Sequence, residues 1–199
     1  RYERDLEGFA KQLGKTADAE RWTRAADARR TAMDKYLWHP DQGRYMDYDF
    51  VAAKASTDPY LTMFYPLWAG AASKQQAEAL TKQLKLFEHK GGLAMSTRDT
   101  GAQWDAPFGW APTNWIAVKG LQDYGFHADA RRISCAFTGT VDRSLAKDGT
   151  IREKYNMLLG NADVKITAGY KTNVIGFGWT NGVYLQMRHL IEADGGCEH

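Results

Sequence analysis

The sequence contains few cysteines and no long apolar run, and these absences exclude two classes of protein. Two cysteines among 199 residues, Cys135 and Cys197, are too few for the disulfide framework of a small secreted scaffold. Cys135 falls in a helical pattern, where we expect a small buried side chain, and Cys197 lies in a polar tail, so neither assigns a compartment. No stretch is long and apolar enough to span a membrane, and no membrane partner is predicted.

The chain also lacks an excess of basic charge. Its 26 Lys and Arg are balanced by 24 Asp and Glu, which gives a net charge of +2. The pairs Arg29–Arg30 and Arg131–Arg132 fit solvated faces of helices, because acidic residues are interleaved with the basic ones. We therefore predict no nucleic-acid partner.

Several signatures of catalytic chemistry are absent as well. The five histidines share no metal-ligand spacing. No Gly-rich phosphate loop leads into Lys-Ser/Thr, and there is no Gly-x-Ser-x-Gly motif. The sequence therefore predicts no metal and no cofactor.

Helical periods dominate what is present. The chain starts in a helical pattern, RYERDLEGFAKQLG, and a second run over 16–37 has Thr16 as a candidate N-cap. That run carries an apolar stripe: Trp22, Ala25, Ala26, Met33 and Leu37. Further helices are predicted over 58–70, 73–87, 113–124, 127–146 and 179–193. Because apolar residues at this spacing share one helix face, we expect the stripes to form the core.

The later helices carry similar stripes. Ser73 is placed to cap the helix that carries Ala77, Leu80, Leu84 and Phe87. In 127–146 the apolar residues come at four-residue steps: Ile133, Phe137, Val141 and Leu145. The stripe of the last helix consists of Val183, Met187, Leu190 and Ile191.

Short and long connections alternate between these helices. The long ones, 38–57, 88–112 and 147–178, are too aromatic for disorder, and long connections in compact domains are usually functional. No strand period is long enough for a major sheet, although 44–50 can form a small hairpin. We therefore predict an all-α fold of antiparallel helical hairpins with the long connections on one rim.

The segment AQWDAPFGWAP, 102–112, concentrates aromatic residues in a loop. Sugar rings have an apolar C–H face and a polar rim, so a sugar site needs a stacking face with hydrogen-bonding groups around it. Gln103, Trp104 and Asp105 supply that mixture. In the alternative interpretation, Trp104 and Trp110 plug the end of a barrel and Asp105 caps a turn.

Two further segments could contribute to the same site. Glu153 follows a turn and lies between Arg152 and Lys154, whose charges favour an ionised carboxylate that can act as a general base on water. Alternatively, Glu153 is an exposed loop residue. In NVIGFGWTNG, 173–182, glycines flank Phe177 and Trp179 stands at a helix start, which indicates either close backbone approach or tight packing of a final helix.

Together these segments resemble one family, the inverting trehalases, which are glycoside hydrolases of the (α/α)6 barrel type. The second signature of that family, Gln-Trp-Asp-x-Pro-x-Gly-Trp-x-Pro, matches at every fixed position: Gln103, Trp104, Asp105, Pro107, Gly109, Trp110 and Pro112. EKYN at 153–156 is similar to the Glu-Lys-Tyr-Asp/Asn segment, and GFGWTNGV at 176–183 is similar to the C-terminal motif.

The resemblance implies a fold and a reaction. Residues 1–199 would be a single unit, the C-terminal part of an (α/α)6 toroid whose N-terminal remainder completes the domain as its partner. The substrate would be trehalose, hydrolysed with inversion. Glu153 would be the general base and Trp104 a substrate contact, with Gln103 and Asp105 beside it. Trp110, Phe177 and Trp179 lie in the matching motifs as further candidate sugar-binding residues.

Two departures from the family pattern leave alternatives open. The general acid of the family is an Asp in a segment that precedes everything in this sequence, and the first signature is missing. Many trehalases also carry a Gly-rich run ending in Glu-Tyr, whose Glu binds the second sugar, whereas here 160–175 contains no Glu and only Gly169-Tyr170 marks the place. The alternatives are an inverting hydrolase of another α-glucoside and a non-catalytic sugar-binding helical module. We also expect residues 1–199 to be marginally stable without the remainder.

Overall fold

The computed structural model describes residues 1–197 of the chain. Its regular structure is mainly helical, in the order α1 Tyr2–Gln12, α2 Thr16–Tyr36, α3 Tyr65–Trp68, α4 Lys74–Thr81, α5 Ala111–Asp123, α6 His127–Asp148 and α7 Gly178–Ala193. Two 3-10 turns, Leu61–Phe64 and Leu84–Leu86, precede α3 and follow α4. The all-α class is confirmed.

The strands are short and, within residues 1–197, form two-stranded antiparallel ribbons. They are β1 Trp38–His39 with β2 Arg44–Tyr45, β3 Tyr48–Asp49 with β4 Lys54–Ala55, β5 Glu88–His89 with β6 Gly92–Leu93, and β7 Phe108–Trp110 with β8 Lys154–Asn156. The predicted hairpin over 44–50 is therefore divided between two consecutive ribbons, β1–β2 and β3–β4. No helix in the described part of the chain is long and apolar enough to cross a membrane.

Among the helices of residues 1–197, α4 is the one whose start carries a side-chain cap. Ser73 is the N-cap of α4 in a capping box, where its Oγ accepts from Gln76 N at 3.2 Å and Gln76 Oε1 accepts from Ser73 N at 2.7 Å. Thr16 is not a cap, since α2 begins at Thr16 itself and Lys15 is the N-cap. The helix predicted over 58–70 is instead a 3-10 turn followed by the single turn α3, which has Pro66 in its first turn.

The core is formed mainly by α3 to α7 and the connections between them. The predicted stripes of the α4 region and of α7 are confirmed as buried: Ala77, Leu80, Leu84, Phe87, Val183, Met187, Leu190 and Ile191. Ile133, Phe137 and Val141 of α6 are buried too, but Leu145 is 42% exposed. At 3.6 residues per turn, each four-residue step rotates the side chain by about 40°, so three steps carry Leu145 about 120° away from Ile133.

The stripe on α2 is the other incorrect core prediction. Trp22, Ala25, Ala26, Met33 and Leu37 are half-buried, and Ala19 is the fully buried residue of this helix. This face stays partly exposed because α2 packs mainly against α1 at the edge of the molecule and not against the core helices.

The two cysteines form a disulfide, which corrects the interpretation of Cys135 as a buried small residue and of Cys197 as part of a free polar tail. Their Cα atoms lie 5.8 Å apart although 62 positions separate them in sequence. The bond ties the middle of α6 to the segment after α7. Disulfides of this kind persist in oxidising compartments.

Two helical glycines provide a matched test of this packing. A Cβ on Gly120 of α5 would lie 2.7 Å from Leu67 Cβ and 2.8 Å from Trp68 N, whereas a Cβ on Gly182 of α7 would meet no atom of the described residues within 4 Å. We expect Gly120→Ala to lower the free energy of unfolding by about 1–3 kcal/mol through overpacking. Gly182→Ala should raise it by about 0.5–1 kcal/mol, since alanine loses less backbone entropy in a helix. Denaturant unfolding of both variants checks this, and equal effects would contradict the close α3–α5 contact.

Candidate active site

Two of the long connections meet directly. β7, from the connection before α5, pairs with β8, from the connection before α7, and Trp110 stands opposite Lys154. Gly109 faces Tyr155 across this ribbon, and a Cβ there would lie 2.5 Å from Met157 Cγ and 2.6 Å from Leu93 O. The glycine of the signature is therefore required by close approach. The ribbon brings the aromatic segment beside Glu153.

Glu153 is buried, with 3% of its surface exposed, so its interpretation as an exposed loop residue is wrong. Lys154 Nζ donates to Glu153 Oε2 at 2.7 Å, and the hydroxyl of Tyr170 donates to Glu153 Oε1. The backbone is fixed as well, because Glu153 N donates to Val174 O at 2.8 Å. The carboxylate is thus held at both oxygens and at its main chain.

Lys154 is fully buried, and aromatic rings cover its charge. Its Nζ lies 4.9 Å from the ring centroid of Trp110 and 4.4 Å from that of Tyr170, within the range of cation–π attraction. Nζ also donates to Thr172 O at 3.4 Å. Within residues 1–197, Glu153 is the carboxylate that forms an ion pair with this cation.

The tryptophans form a layered aromatic cluster. Trp104 and Trp110 are stacked with centroids 4.1 Å apart and planes 4° from parallel, and Trp179 meets Trp110 edge-on at 5.6 Å. Phe177 packs against Trp179 at 4.6 Å. Trp110 is 1% exposed, whereas Trp104 is 45% and Trp179 is 36% exposed. Trp110 therefore serves as the buried plug, while Trp104 and Trp179 present the faces on which a sugar ring can stack.

Asp105 joins neighbouring connections. Its Oδ1 accepts from the Tyr60 hydroxyl at 2.5 Å and its Oδ2 accepts from the Thr100 hydroxyl. Burial raises the pKa of the Asp105 carboxyl, but hydrogen bonds from Thr100, Tyr60 and Ser96 outweigh burial and bring the pKa below its ordinary value. The bond to Asp105 is also the main cause that raises the pKa of Tyr60 to about 12. Asp105 is thus an ionised carboxylate whose two oxygens are occupied by protein donors.

Gln103 has an unpaired buried atom. Its backbone oxygen accepts from Trp110 Nε1 at 2.8 Å, which fixes the loop beneath the tryptophan stack. Its side-chain Oε1 is buried and has no hydrogen-bond partner among residues 1–197. A buried acceptor without a partner is costly, so this side chain carries an unmet hydrogen-bonding demand.

Some residues of this site were not singled out from the sequence. In the sequence Tyr170 marks only the place of a missing family motif, and Lys154 is only a charge beside Glu153. Tyr60 and Thr100 carry no local signal, since their role depends on reaching Asp105. Among the described residues, no group of three or more His, Cys, Asp or Glu side chains is arranged to hold a metal ion.

Helical hairpins whose connections bring a buried carboxylate together with partly exposed tryptophans have the residue types of a sugar-binding site. A sequence model of the trehalase family matches residues 1–192. The chain belongs to the trehalase family, and the match is to its C-terminal part.

Individual relatives agree with this assignment. The chain is 36% identical over 195 residues to a periplasmic trehalase of Escherichia coli O1:K1, with 95% of this chain and 33% of the relative covered. The neutral trehalase Nth1 of Saccharomyces cerevisiae superposes with a TM-score of 0.80 at 28% identity, covering 95% of this chain and 36% of the yeast chain. The chain thus spans about a third of the length of the curated relatives it matches.

A more distant structure shows likeness of fold alone. The GH63 mannosylglycerate hydrolase of Thermus thermophilus, in complex with Tris and D-glycerate, superposes with a TM-score of 0.72 at 24% identity. It covers 93% of this chain and 42% of the hydrolase. With these neighbours, the predicted (α/α)6 toroid is confirmed.

Proposed function

We propose that the full-length protein hydrolyses trehalose to glucose with inversion and that Glu153 is the general base. The observation that carries the proposal is the buried Glu153 carboxylate, held by Lys154 beside the exposed tryptophan faces. A carboxylate so placed can take a proton from the water that attacks the anomeric carbon. Family membership and the names of the relatives, which are trehalases, support the choice of substrate.

The remaining side chains are assigned to sugar binding. Trp104 and Trp179 stack on the apolar faces of the sugar rings, and Phe177 and Trp110 support them from behind. Gln103 and Asp105 lie beside Trp104 in the same segment and are assigned to sugar binding with it, and Asp105 ties that segment to Tyr60. An inverting reaction also needs an acid about 6.5–9.5 Å from the base, and the N-terminal remainder of the domain supplies it.

We also propose that residues 1–199 form one structural unit that packs against this remainder. On α1 and just after it, Tyr2, Phe9 and Leu13 are 76%, 59% and 70% exposed, and their spacing puts them on one face. We expect isolated 1–199 to unfold at a clearly lower temperature than the same residues within the full-length protein. Calorimetry of both measures this, and an isolated monomer that melts cooperatively at the full-length temperature would contradict the proposal.

A second candidate substrate is another α-glucoside disaccharide, because residues 160–175 contain no Glu and Tyr170 stands in this segment. The full-length protein should be assayed against trehalose and a panel of α-linked glucose disaccharides. Inversion of trehalose releases one β-glucose and one α-glucose, which proton NMR distinguishes before mutarotation. Cleavage of another disaccharide but not of trehalose would overturn the substrate assignment. Release of α-glucose alone would overturn inversion. Binding of the sugar without turnover would indicate a binding module.

A further inference from the structure

Tyr170 covers the candidate base. Its hydroxyl donates to Glu153 Oε1, and it is 45% exposed while Glu153 is 3% exposed. The phenol therefore lies between the carboxylate and solvent. Tyr170 thus contacts one oxygen of Glu153 from the more exposed side.

The other oxygen of the carboxylate is fixed by a group that Tyr170 also contacts. Lys154 Nζ donates to Glu153 Oε2 at 2.7 Å and lies 4.4 Å from the Tyr170 ring centroid. The three side chains therefore form a closed triangle of contacts. Trp179 Nε1 and Thr180 Oγ1 approach the backbone oxygen of Glu153, each at 3.4 Å, so α7 orients the main chain and not the carboxylate.

The segment that follows Tyr170 is hydrogen-bonded to Glu153 and to the first residue of β8. Asn173 Oδ1 accepts from Lys154 N at 3.3 Å, Asn173 Nδ2 donates to Lys154 O at 3.0 Å, and Val174 O accepts from Glu153 N at 2.8 Å. On the other side of Tyr170, Gly169 has a φ of +96°, a conformation that favours glycine. The hydrogen bonds of Asn173 and Val174 thus fix the backbone on the C-terminal side of Tyr170 and place its phenol beside Glu153.

We propose that Tyr170 is a positioning residue for hydrolysis, which fixes the rotation of the Glu153 carboxylate so that Oε1 faces the attacking water with its remaining lone pair. This inference rests on the proposed function of Glu153. A carboxylate oxygen has two lone pairs, so Oε1 can accept from Tyr170 and from water at once.

Tyr170 acts in this role as a donor and not as an acid or base. Burial, followed by the hydrogen bond to Glu153, raises the pKa of Tyr170 to about 12. The phenol therefore keeps its proton at neutral pH, and the proton of the attacking water passes to Glu153.

Tyr170→Phe tests the role, because it removes the hydroxyl and keeps the ring over Lys154. Because the carboxylate loses the charge-assisted bond that fixes its rotation, kcat should fall roughly 10- to 100-fold. KM should stay within about twofold, because the bond orients the base and not the sugar. Tyr184→Phe is the matched control: its hydroxyl donates to Asp142 Oδ1 at 2.6 Å between α7 and α6, so kcat and KM should be unchanged.

Infrared difference spectra between variants test the hydrogen bond without any measurement of turnover. The difference between wild type and Glu153→Gln isolates the carboxylate bands of Glu153, and the same difference in the Tyr170→Phe background should show them shifted. A kcat within twofold of wild type, a loss confined to KM, or unshifted bands would overturn the inference. Tyr170→Leu should lose at least as much kcat as Tyr170→Phe at equal folded fraction, and a smaller loss would also overturn it. Failure of the proposed function can be told apart from failure of this inference. In that case wild type would cleave no trehalose, but the carboxylate bands of Glu153 would still shift in the Tyr170→Phe background.

Discussion

Replacing Glu153 with glutamine is expected to abolish trehalose hydrolysis by the full-length protein and to leave sugar binding nearly intact. Glutamine matches the shape of the side chain but cannot take a proton from water, and because it leaves the buried Lys154 charge unpaired, turnover and binding are compared at equal folded fraction. Loss of a general base costs about 10²–10⁴ in rate, so kcat should fall by that factor. Titration calorimetry with trehalose should give a dissociation constant within a few-fold of wild type, because the stacking faces of Trp104 and Trp179 are unchanged.

Two further variants separate loss of the base from other effects. Glu153→Asp keeps the charge opposite Lys154 but withdraws the carboxylate by one methylene, so kcat should fall while the fold is kept. Glu192→Gln, at an exposed position on α7, should change neither turnover nor binding. Near-normal turnover in Glu153→Gln would remove Glu153 from its proposed role, and loss of binding together with turnover would make it a structural residue.

The helices could be predicted largely from the sequence, because their signals are local. Ser73 and Gln76 form the capping box within one turn, and the stripe through Val183 and Met187 is buried as its period indicates. A stripe predicts that a face is covered, but it does not identify what covers it. The half-buried Trp22 on α2 shows this limit, since the cover on that face depends on elements elsewhere in the chain.

The site shows a similar division. The residue types at Glu153 and Trp104 could be identified from motifs, but their meeting depends on the β7–β8 ribbon, which joins segments about 45 residues apart in a way that no local pattern encodes. The bond from Tyr170 to Glu153 crosses 17 residues of mostly irregular backbone. The Cys135–Cys197 disulfide depends on the packing of α6 against α7 across 62 residues. Each of these contacts is tertiary, and sequence spacing does not reveal them.

A large loss of stability is expected from Lys154→Met. Methionine fills a similar volume, but it leaves the buried Glu153 without its positive partner. Removing one partner of a buried ion pair costs about 3–5 kcal/mol, because the remaining charge is uncompensated. The hydroxyl of Tyr170 still donates to Glu153, which offsets part of that loss. Denaturant unfolding of the full-length protein measures the change in the free energy of unfolding.

A double-mutant cycle decides whether charge is the cause. In Glu153→Gln combined with Lys154→Met neither charge of this ion pair remains, so the double variant should regain stability over Lys154→Met alone. Lys119→Met is the control, because Lys119 pairs with Asp123 on the exposed surface of α5 and such pairs contribute about 0–1 kcal/mol. A double variant as unstable as Lys154→Met would show that lost contacts with the rings of Trp110 and Tyr170 carry the effect. Recovery would show that the buried Glu153 charge is what requires Lys154, and that stability and the proposed base depend on the same ion pair.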